Sequence, residues 1–239
     1  SSYGTATINI PGSSTQTASV NGSRVENTAQ SKAYANQNIA SNKGSITVSG
    51  TSTQTSIIDN AMVTNKAQSA GDVAVQNLAS NVGTVSVDKS IHFTGTSNQT
   101  ANVVGATLKN EANSSSNSCS GPDCRDGSLA YQNAASNMGE VNISGISTQI
   151  VGISGSGTTV SNTAKGANTV AVQNMSSNYG KVNISGSSSQ TTSIYGASIV
   201  ANLANGAFAH AYQNIASNDS CDPPPVVCVG PACGPYAMR

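Results

Sequence analysis

Apolar and polar residues alternate along most of the chain with a period of two. Val182 and Ile184, for example, alternate with Lys181 and Asn183. This period sends successive side chains to opposite faces of a β-strand. Segments of the form Ser-Asn-x-Gly, such as 177–180, recur between the alternating stretches, and Asn and Gly are residues that adopt positive φ readily. The pattern predicts an all-β chain of short strands with recurring corners.

One polar octapeptide is written five times with small changes: ANQNIASN, AVQNLASN, AYQNAASN, AVQNMSSN and AYQNIASN. Its Gln recurs after 39, 56, 41 and 40 residues, and a second motif ending in Gln, such as STQ, precedes each octapeptide. Regular spacing of this kind is typical of proteins whose repeats stack on one another. We predict a repeat domain over 1–218 and a tail rich in Pro and Cys at 219–239. The predicted repeats are 1–43, 44–82, 83–138, 139–179 and 180–218.

The repeats predict a β-solenoid with stacked, amyloid-like rungs, built from five imperfect repeats of about 40 residues each. Five long rungs and ten rungs of half that length both fit the spacing. An Ala stands two residues before each octapeptide Gln, which favours close approach of two sheets. Identical amides stacked at ~4.8 Å can donate to one neighbour and accept from the other. We therefore expect ladder and self-assembly roles for Gln37, Asn38, Gln76, Asn77, Gln132, Asn133, Gln173, Asn174, Gln213 and Asn214, and for the second-motif residues Gln16, Gln54, Gln99, Gln149 and Gln190.

Composition argues against a thick core and against binding through charge. Apolar residues make up 36%, aromatic residues 4% and charged residues 8% of the chain, against roughly 25% charged residues in an ordinary soluble domain. Ten basic and ten acidic residues balance to zero formal charge, so we expect neither nucleic acid nor a polybasic contact with membranes. No apolar run approaches the ~18 residues of a membrane span. A neutral surface also favours self-association.

The sequence shows no catalytic constellation. His92 and His210 both fall at strand positions, and no acid or second His is placed beside them by the spacing. No nucleophile elbow, phosphate loop or zinc-protease motif is present. We expect a protein that is not an enzyme and needs no cofactor and no metal.

Four of the five cysteines lie in two segments of the form C-x-G-P-x-C, at 119–124 and 228–233, and the fifth lies in the tail at 221. Disulfide loops between Cys119 and Cys124 and between Cys228 and Cys233 predict an oxidising, extracellular location. The same four thiols could alternatively hold one structural zinc. Cys221 is then either free or paired with a neighbouring subunit. The chain begins SSYG rather than with Met, and we expect that an export signal has been removed.

Neither end of the repeat region shows an atypical capping repeat, so we expect molecules to stack end to end into a fibre. Region 1–218 resembles the curli-type and Fap-type subunits of secreted bacterial functional amyloids. The shared features are alternating small and aliphatic residues, repeated Gln and Asn, Ser-Asn-x-Gly segments and low charge. Curli-type repeats are about half as long, and Fap-type subunits have fewer repeats. The resemblance implies export by outer-membrane secretion machinery, a self-assembled extracellular fibre, and a role in biofilm matrix and adhesion.

A second interpretation is a monomeric solenoid that binds ice or carbohydrate. Thr-rich stretches at 51–55 and 96–100 would present hydroxyl and methyl groups on a flat face. The equivalent stretches at 146–150 and 187–191 replace several Thr residues and interrupt the lattice. A stalk segment of a larger adhesin is a third interpretation.

Overall fold

The computed structural model describes residues 7–30, 34–68, 72–83, 90–113, 128–207 and 209–219. These residues form 23 β-strands, and none of them lies in a helix. All strand pairs in the four sheets are parallel. The predicted all-β class is therefore confirmed for the described residues, with parallel sheets as its organisation.

Sheet 1 has eight strands, most of them short. They are β1 (Thr7–Ile10), β5 (Asn42–Lys43), β6 (Ser45–Val48), β10 (Asn81–Val82), β11 (Ser90–Phe93), β15 (Asn137–Ile143), β19 (Asn178–Ile184) and β23 (Asn218–Asp219). Sheet 2 has five strands. They are β2 (Ser13–Asn21), β7 (Thr51–Asp59), β12 (Thr96–Val104), β16 (Ile146–Ser154) and β20 (Ser187–Ile194).

Sheets 3 and 4 also have five strands each. Sheet 3 consists of β3 (Arg24–Ala29), β8 (Met62–Ala67), β13 (Thr107–Asn113), β17 (Thr159–Lys165) and β21 (Ile199–Asn205). Sheet 4 consists of β4 (Tyr34–Ile39), β9 (Val73–Leu78), β14 (Leu129–Ala134), β18 (Val170–Met175) and β22 (His210–Ile215). Each of sheets 2, 3 and 4 thus takes one strand from every sequence repeat.

Equivalent residues of successive repeats are direct neighbours in the sheets. In sheet 2, Gln99 pairs with Gln54 on one side and Gln149 on the other. The longer third repeat keeps this register, and the segments 84–89 and 114–127 that lengthen it are outside the described residues. The in-register pairing converts each repeated position into a column of like side chains.

Two apolar zones show how the strands face one another. Ile and Val columns of sheet 1, including Ile46 and Ile91, are fully buried. Between sheets 3 and 4, an Ala column containing Ala67 meets an Ala column containing Ala74. Small side chains on both faces allow the two backbones to approach closely, as the repeated Ala predicted.

The turn between sheets 1 and 2 requires glycine. A Cβ atom placed on Gly50, Gly95, Gly145 or Gly186 would lie 2.0 to 2.2 Å from the carbonyl oxygen of the equivalent glycine in the preceding repeat. No real Cβ contact is that short, so the close stacking of turns explains these glycines.

The corners after sheet 4 match the sequence prediction only in part: Gly44, Gly139 and Gly180 of the Ser-Asn-x-Gly segments have the expected positive φ, but the sharp turn lies elsewhere. The Asn-x-Gly part of Ser-Asn-x-Gly lies inside a strand, as in Asn137–Ile143. The chain instead turns two residues before this Asn, at residues with φ between 46° and 51°: Ala40, Ala79, Ala135, Ser176 and Ala216. The following Ser stabilises the turn, because its hydroxyl donates two residues back, as Ser80 Oγ does to Leu78 O at 2.8 Å.

Candidate functional site

The octapeptide Gln residues form one continuous column of amides in sheet 4. Each Nε2 donates to the Oε1 of the preceding repeat, at 2.6 to 2.8 Å, in the order Gln213 to Gln173, Gln132, Gln76 and Gln37. The middle members are fully buried and face sheet 3. There they also donate to backbone carbonyls, for example Gln132 Nε2 to Ser161 O at 3.1 Å.

The octapeptide Asn residues form a second column on the opposite face of sheet 4. Their bonds of 2.7 to 2.9 Å run in the same direction, in the order Asn214 to Asn174, Asn133, Asn77 and Asn38. Asn77, Asn133 and Asn174 are completely buried. The structure therefore places all ten octapeptide amides in two columns. Their part in self-assembly stays a prediction.

Sheet 3 contains an Asn column for which the sequence predicted no role. Its amides donate toward the later repeats at 2.7 to 2.8 Å, in the order Asn27, Asn65, Asn110, Asn162 and Asn202. The amide nitrogens also bridge to sheet 4: Asn110 Nδ2 lies 3.1 Å from Ala74 O and 3.0 Å from Tyr131 O. Its signal in the sequence was an Asn that recurs at a nearly constant distance after the second-motif Gln.

A fourth amide column lies at the corner between sheets 4 and 1. It consists of the last Asn of each octapeptide, joined at 2.7 to 3.1 Å in the order Asn42, Asn81, Asn137, Asn178 and Asn218. These bonds also donate toward the later repeats. The Ser-Asn pair at the end of each octapeptide was the signal for this column, although we read it as a turn.

The second-motif Gln residues stand in register but make a different contact. Gln54 Nε2 lies 3.3 Å from Gln16 Oε1. From the second repeat onward, the Nε2 donates across the interior to a corner carbonyl, as Gln54 does to Ser80 O at 3.4 Å, Gln99 to Ser136 O at 3.2 Å and Gln149 to Ser177 O at 3.1 Å. Gln190 continues this pattern with Ser217 O. These side chains fasten sheet 2 to the corner rather than forming a side-chain ladder.

The outermost strands expose side chains that are buried in the middle repeats. Ile215 of β22 is 42% exposed, whereas Met175, its neighbour one repeat earlier, is fully buried. Among the described residues, β20, β21 and β22 have no strand on their far side, and neither have β2, β3 and β4. Each outer edge therefore presents the same columns as an internal repeat.

The outward face of sheet 2 carries two regular, uncharged columns, and Asp59 stands on the same face at the end of β7. Because Gln side chains point inward, the flanking residues point outward in two adjacent columns. One column contains Thr15, Thr53, Asn98, Thr148 and Ser189, and the other contains Thr17, Thr55, Thr100, Ile150 and Thr191.

The charged side chains include one buried cluster. The Glu111 side chain is 8% exposed and lies 2.7 Å from Lys109 Nζ and 3.1 Å from Lys165 Nζ. Burial raises the pKa of Glu111, but hydrogen bonds and attraction from the two ammonium groups outweigh it and hold the pKa below its ordinary value. The cluster ties neighbouring strands of sheet 3 together.

The histidines are not brought together: His92 lies on β11, and the His210 ring stacks with Tyr212 on β22. Within the described ranges, no group of three His, Cys, Asp or Glu side chains is arranged to hold a metal. The predicted cysteine pairs Cys119–Cys124 and Cys228–Cys233, and Cys221, lie outside the described residues.

Comparison with known protein families, curated proteins and solved structures found no match. In the part of the chain that the structure describes, no helix has the length and apolarity to cross a membrane.

Proposed function

We propose that the chain is a structural subunit: a β-solenoid of five coils that joins end to end into an extracellular filament. In this proposal one coil comprises four successive strands, one from each sheet, and corresponds to one sequence repeat. The protein is not an enzyme and uses no cofactor. Its principal partner is another molecule of the same kind.

The observation that carries the proposal is that the outer edges present the same side-chain columns that join the internal repeats. Gln213, Asn214 and Asn202 stand at one edge in the same columns that join the internal repeats. A further strand that carried Gln and Asn at the same positions would make the same backbone and side-chain bonds. The repeat-1 edge of a second molecule supplies such a strand.

The neutral surface supports association between molecules. The resemblance to curli-type and Fap-type subunits supports an extracellular location. With zero formal net charge, little long-range repulsion opposes contact between molecules. Secretion, assembly outside the cell and a biofilm role are proposed by analogy with the curli-type and Fap-type subunits that the repeats resemble.

The proposal is tested by incubating the purified full-length chain over a range of concentrations. We expect filaments in negative-stain micrographs, a concentration-dependent lag in their appearance, and a reflection at about 4.7–4.8 Å in fibre diffraction. A particle that sediments as a monomer at every concentration would contradict the proposal.

The outward face of sheet 2 supports a second candidate, a binding module for ice or carbohydrate. Its two Thr-rich columns are uncharged, and strand pairing fixes their spacing at about 4.8 Å along the stack. In this interpretation the monomer itself is the active species.

The second candidate is tested on monomer by inhibition of ice recrystallisation and by cosedimentation with insoluble neutral polysaccharide. Replacing Thr53 and Thr100 with Lys should abolish either activity, because both side chains point outward into the proposed contact. The matched control is Thr47→Lys on sheet 1. Activity that survives the double substitution, or no activity in the unmodified chain, would exclude this candidate.

A further inference from the structure

We propose that the junction between molecules is polar and in register, with the repeat-5 edge of one molecule bound to the repeat-1 edge of the next. The corner residues Asn218 and Asp219 then lie beside Asn42 and Lys43 of the following molecule. This inference rests on the proposed filament. It adds the register of the junction and the atoms that pair across it.

The amide columns point in two opposite directions. In both sheet 4 columns the NH2 groups donate toward repeat 1, so Gln37 and Asn38 end as donors and Gln213 and Asn214 end as acceptors. In the sheet 3 and corner columns the NH2 groups donate toward repeat 5. The Asn27 carbonyl therefore ends its column at repeat 1, and the Asn202 and Asn218 amides end theirs at repeat 5.

Opposite edges consequently match in all four columns. When a repeat-5 edge meets a repeat-1 edge in register, every terminal NH2 faces a carbonyl oxygen of its own column. Two like edges related by a two-fold axis would pair their strands antiparallel, and no column would continue into itself. The directions of the internal bonds thus favour one orientation of the partner.

A charged pair reinforces this orientation. One column of sheet 1 runs Lys43, Val82, Met138, Tyr179 and Asp219. Its three internal members are uncharged and fully or almost fully buried, and its two outer members carry opposite charges. Stacking in register brings Asp219 of one molecule to the strand next to Lys43 of the following one, about 4.8 Å away along the stack.

The edges of sheet 1 are stepped in complementary ways. At the repeat-5 edge, β23 pairs only with Asn178 and Tyr179 of β19. Along the rest of β19 no strand is paired on that side among the described residues. At the other edge, β1 extends one strand beyond β6. The β1 strand of the next molecule pairs with this free part of β19, in line with β23, and continues the Ile and Val columns of the core.

A glycine at the repeat-1 edge provides a probe of this contact. A Cβ atom on Gly12 would have nothing within 4 Å in the single molecule, whereas on each later equivalent it would strike the preceding glycine carbonyl at 2.0 to 2.2 Å. In the proposed junction, the carbonyl of Gly186 from the neighbouring molecule takes that place. Alanine at position 12 is therefore harmless to one molecule and obstructs the junction.

The first experiment compares Gly12→Ala with the adjacent control Ser13→Ala in the full-length chain. We expect both monomers to unfold at the same denaturant concentration as the unmodified chain, and only Gly12→Ala to slow elongation of seeded filaments, by at least ~10-fold. Elongation of Gly12→Ala at the rate of the control would overturn the inference. Failure of the unmodified chain to form filaments would instead overturn the proposed function.

The second experiment reverses the charges at the two edges. Lys43→Asp and Asp219→Lys each place like charges at every junction, and we expect elongation about five-fold slower for either variant alone. In an equimolar mixture the two variants can alternate, which restores opposite charges at every junction, so we expect the mixture to elongate near the original rate. A mixture no faster than its components, or single variants as fast as the unmodified chain, would overturn the proposed register.

Discussion

At the scale of single residues, the buried Asn side chains of sheet 3 perform two tasks. Asn110 Oδ1 accepts a bond from Asn65, and the two N–H groups of Asn110 are shared among Asn162 Oδ1 and two backbone carbonyls of sheet 4. A buried polar group that loses its partner typically costs about 1–3 kcal/mol. One side chain thus holds together both the stack of repeats and the contact between two sheets.

Replacing Asn110 with Ala should lower the free energy of unfolding by about 2–4 kcal/mol, because several buried partners lose their bonds. The matched control is Asn98→Ala, since Asn98 points outward from sheet 2. Guanidinium unfolding of the monomers measures both variants. Equal stability of the two variants would contradict the role assigned to Asn110.

Glu111 makes the stability depend on pH in the acidic range. Because its pKa is lowered in the folded state, its ion pairs contribute fully above the unfolded-state pKa and are lost as the pH falls through the folded-state pKa. The variant Glu111→Gln should therefore be less stable at neutral pH and should lose less stability on acidification. Chemical unfolding of both forms from neutral to strongly acidic pH measures this, and parallel curves would refute the assignment.

At the scale of elements, the turn between sheets 1 and 2 limits how closely repeats can stack. Gly95→Ala should lower the free energy of unfolding of the monomer by about 2 kcal/mol or more. The new Cβ would lie 2.1 Å from the Gly50 carbonyl oxygen, so the backbone of one of the two turns must shift. Gly12→Ala is the matched control, because its site is open. Equal unfolding midpoints for the two variants would show that the turns do not stack as described.

The strands themselves were predictable, but several of their contacts were not. Period-two alternation and the recurring octapeptide predicted strands and in-register pairing, since a fixed repeat has one pairing that matches every column. The sheet 3 Asn recurs 11 residues after the second-motif Gln in the first three repeats and 12 or 13 residues after it in the last two, but that spacing could not show that its amide also bonds to carbonyls of sheet 4. Sequence spacing also could not reveal that Gln99 reaches across to the Ser136 carbonyl, since that contact depends on how the corner folds.

The corners show why local preference was insufficient. Gly and Asn in Ser-Asn-x-Gly favour a turn on their own, but Asn137 and Gly139 lie in a strand and the turn falls at Ala135. The neighbouring repeats impose this choice, because Asn137 must stay in register with Asn81 and Asn178. Bonds between repeats therefore outweigh the cost of left-handed backbone at Ala135, which is about 1–2 kcal/mol.

At the scale of the whole molecule, the stack has a direction as well as a repeat. Two amide columns donate toward repeat 1 and two toward repeat 5, and Lys43 and Asp219 stand at opposite ends of one column. The two edges of a molecule are therefore different surfaces, and each is complementary to the other. A filament built this way grows with a defined polarity, and its core, amide columns and stepped sheet edge run through every junction.

The axial rise per molecule, measured in a helical reconstruction of filaments grown from the purified chain, tests the central claim most directly. Five coils spaced by ~4.8 Å give a rise of about 24 Å per molecule, with Gln213 of one subunit next to Gln37 of the following one. A different rise, or junctions at which the glutamine columns do not meet, would contradict the proposed in-register stacking.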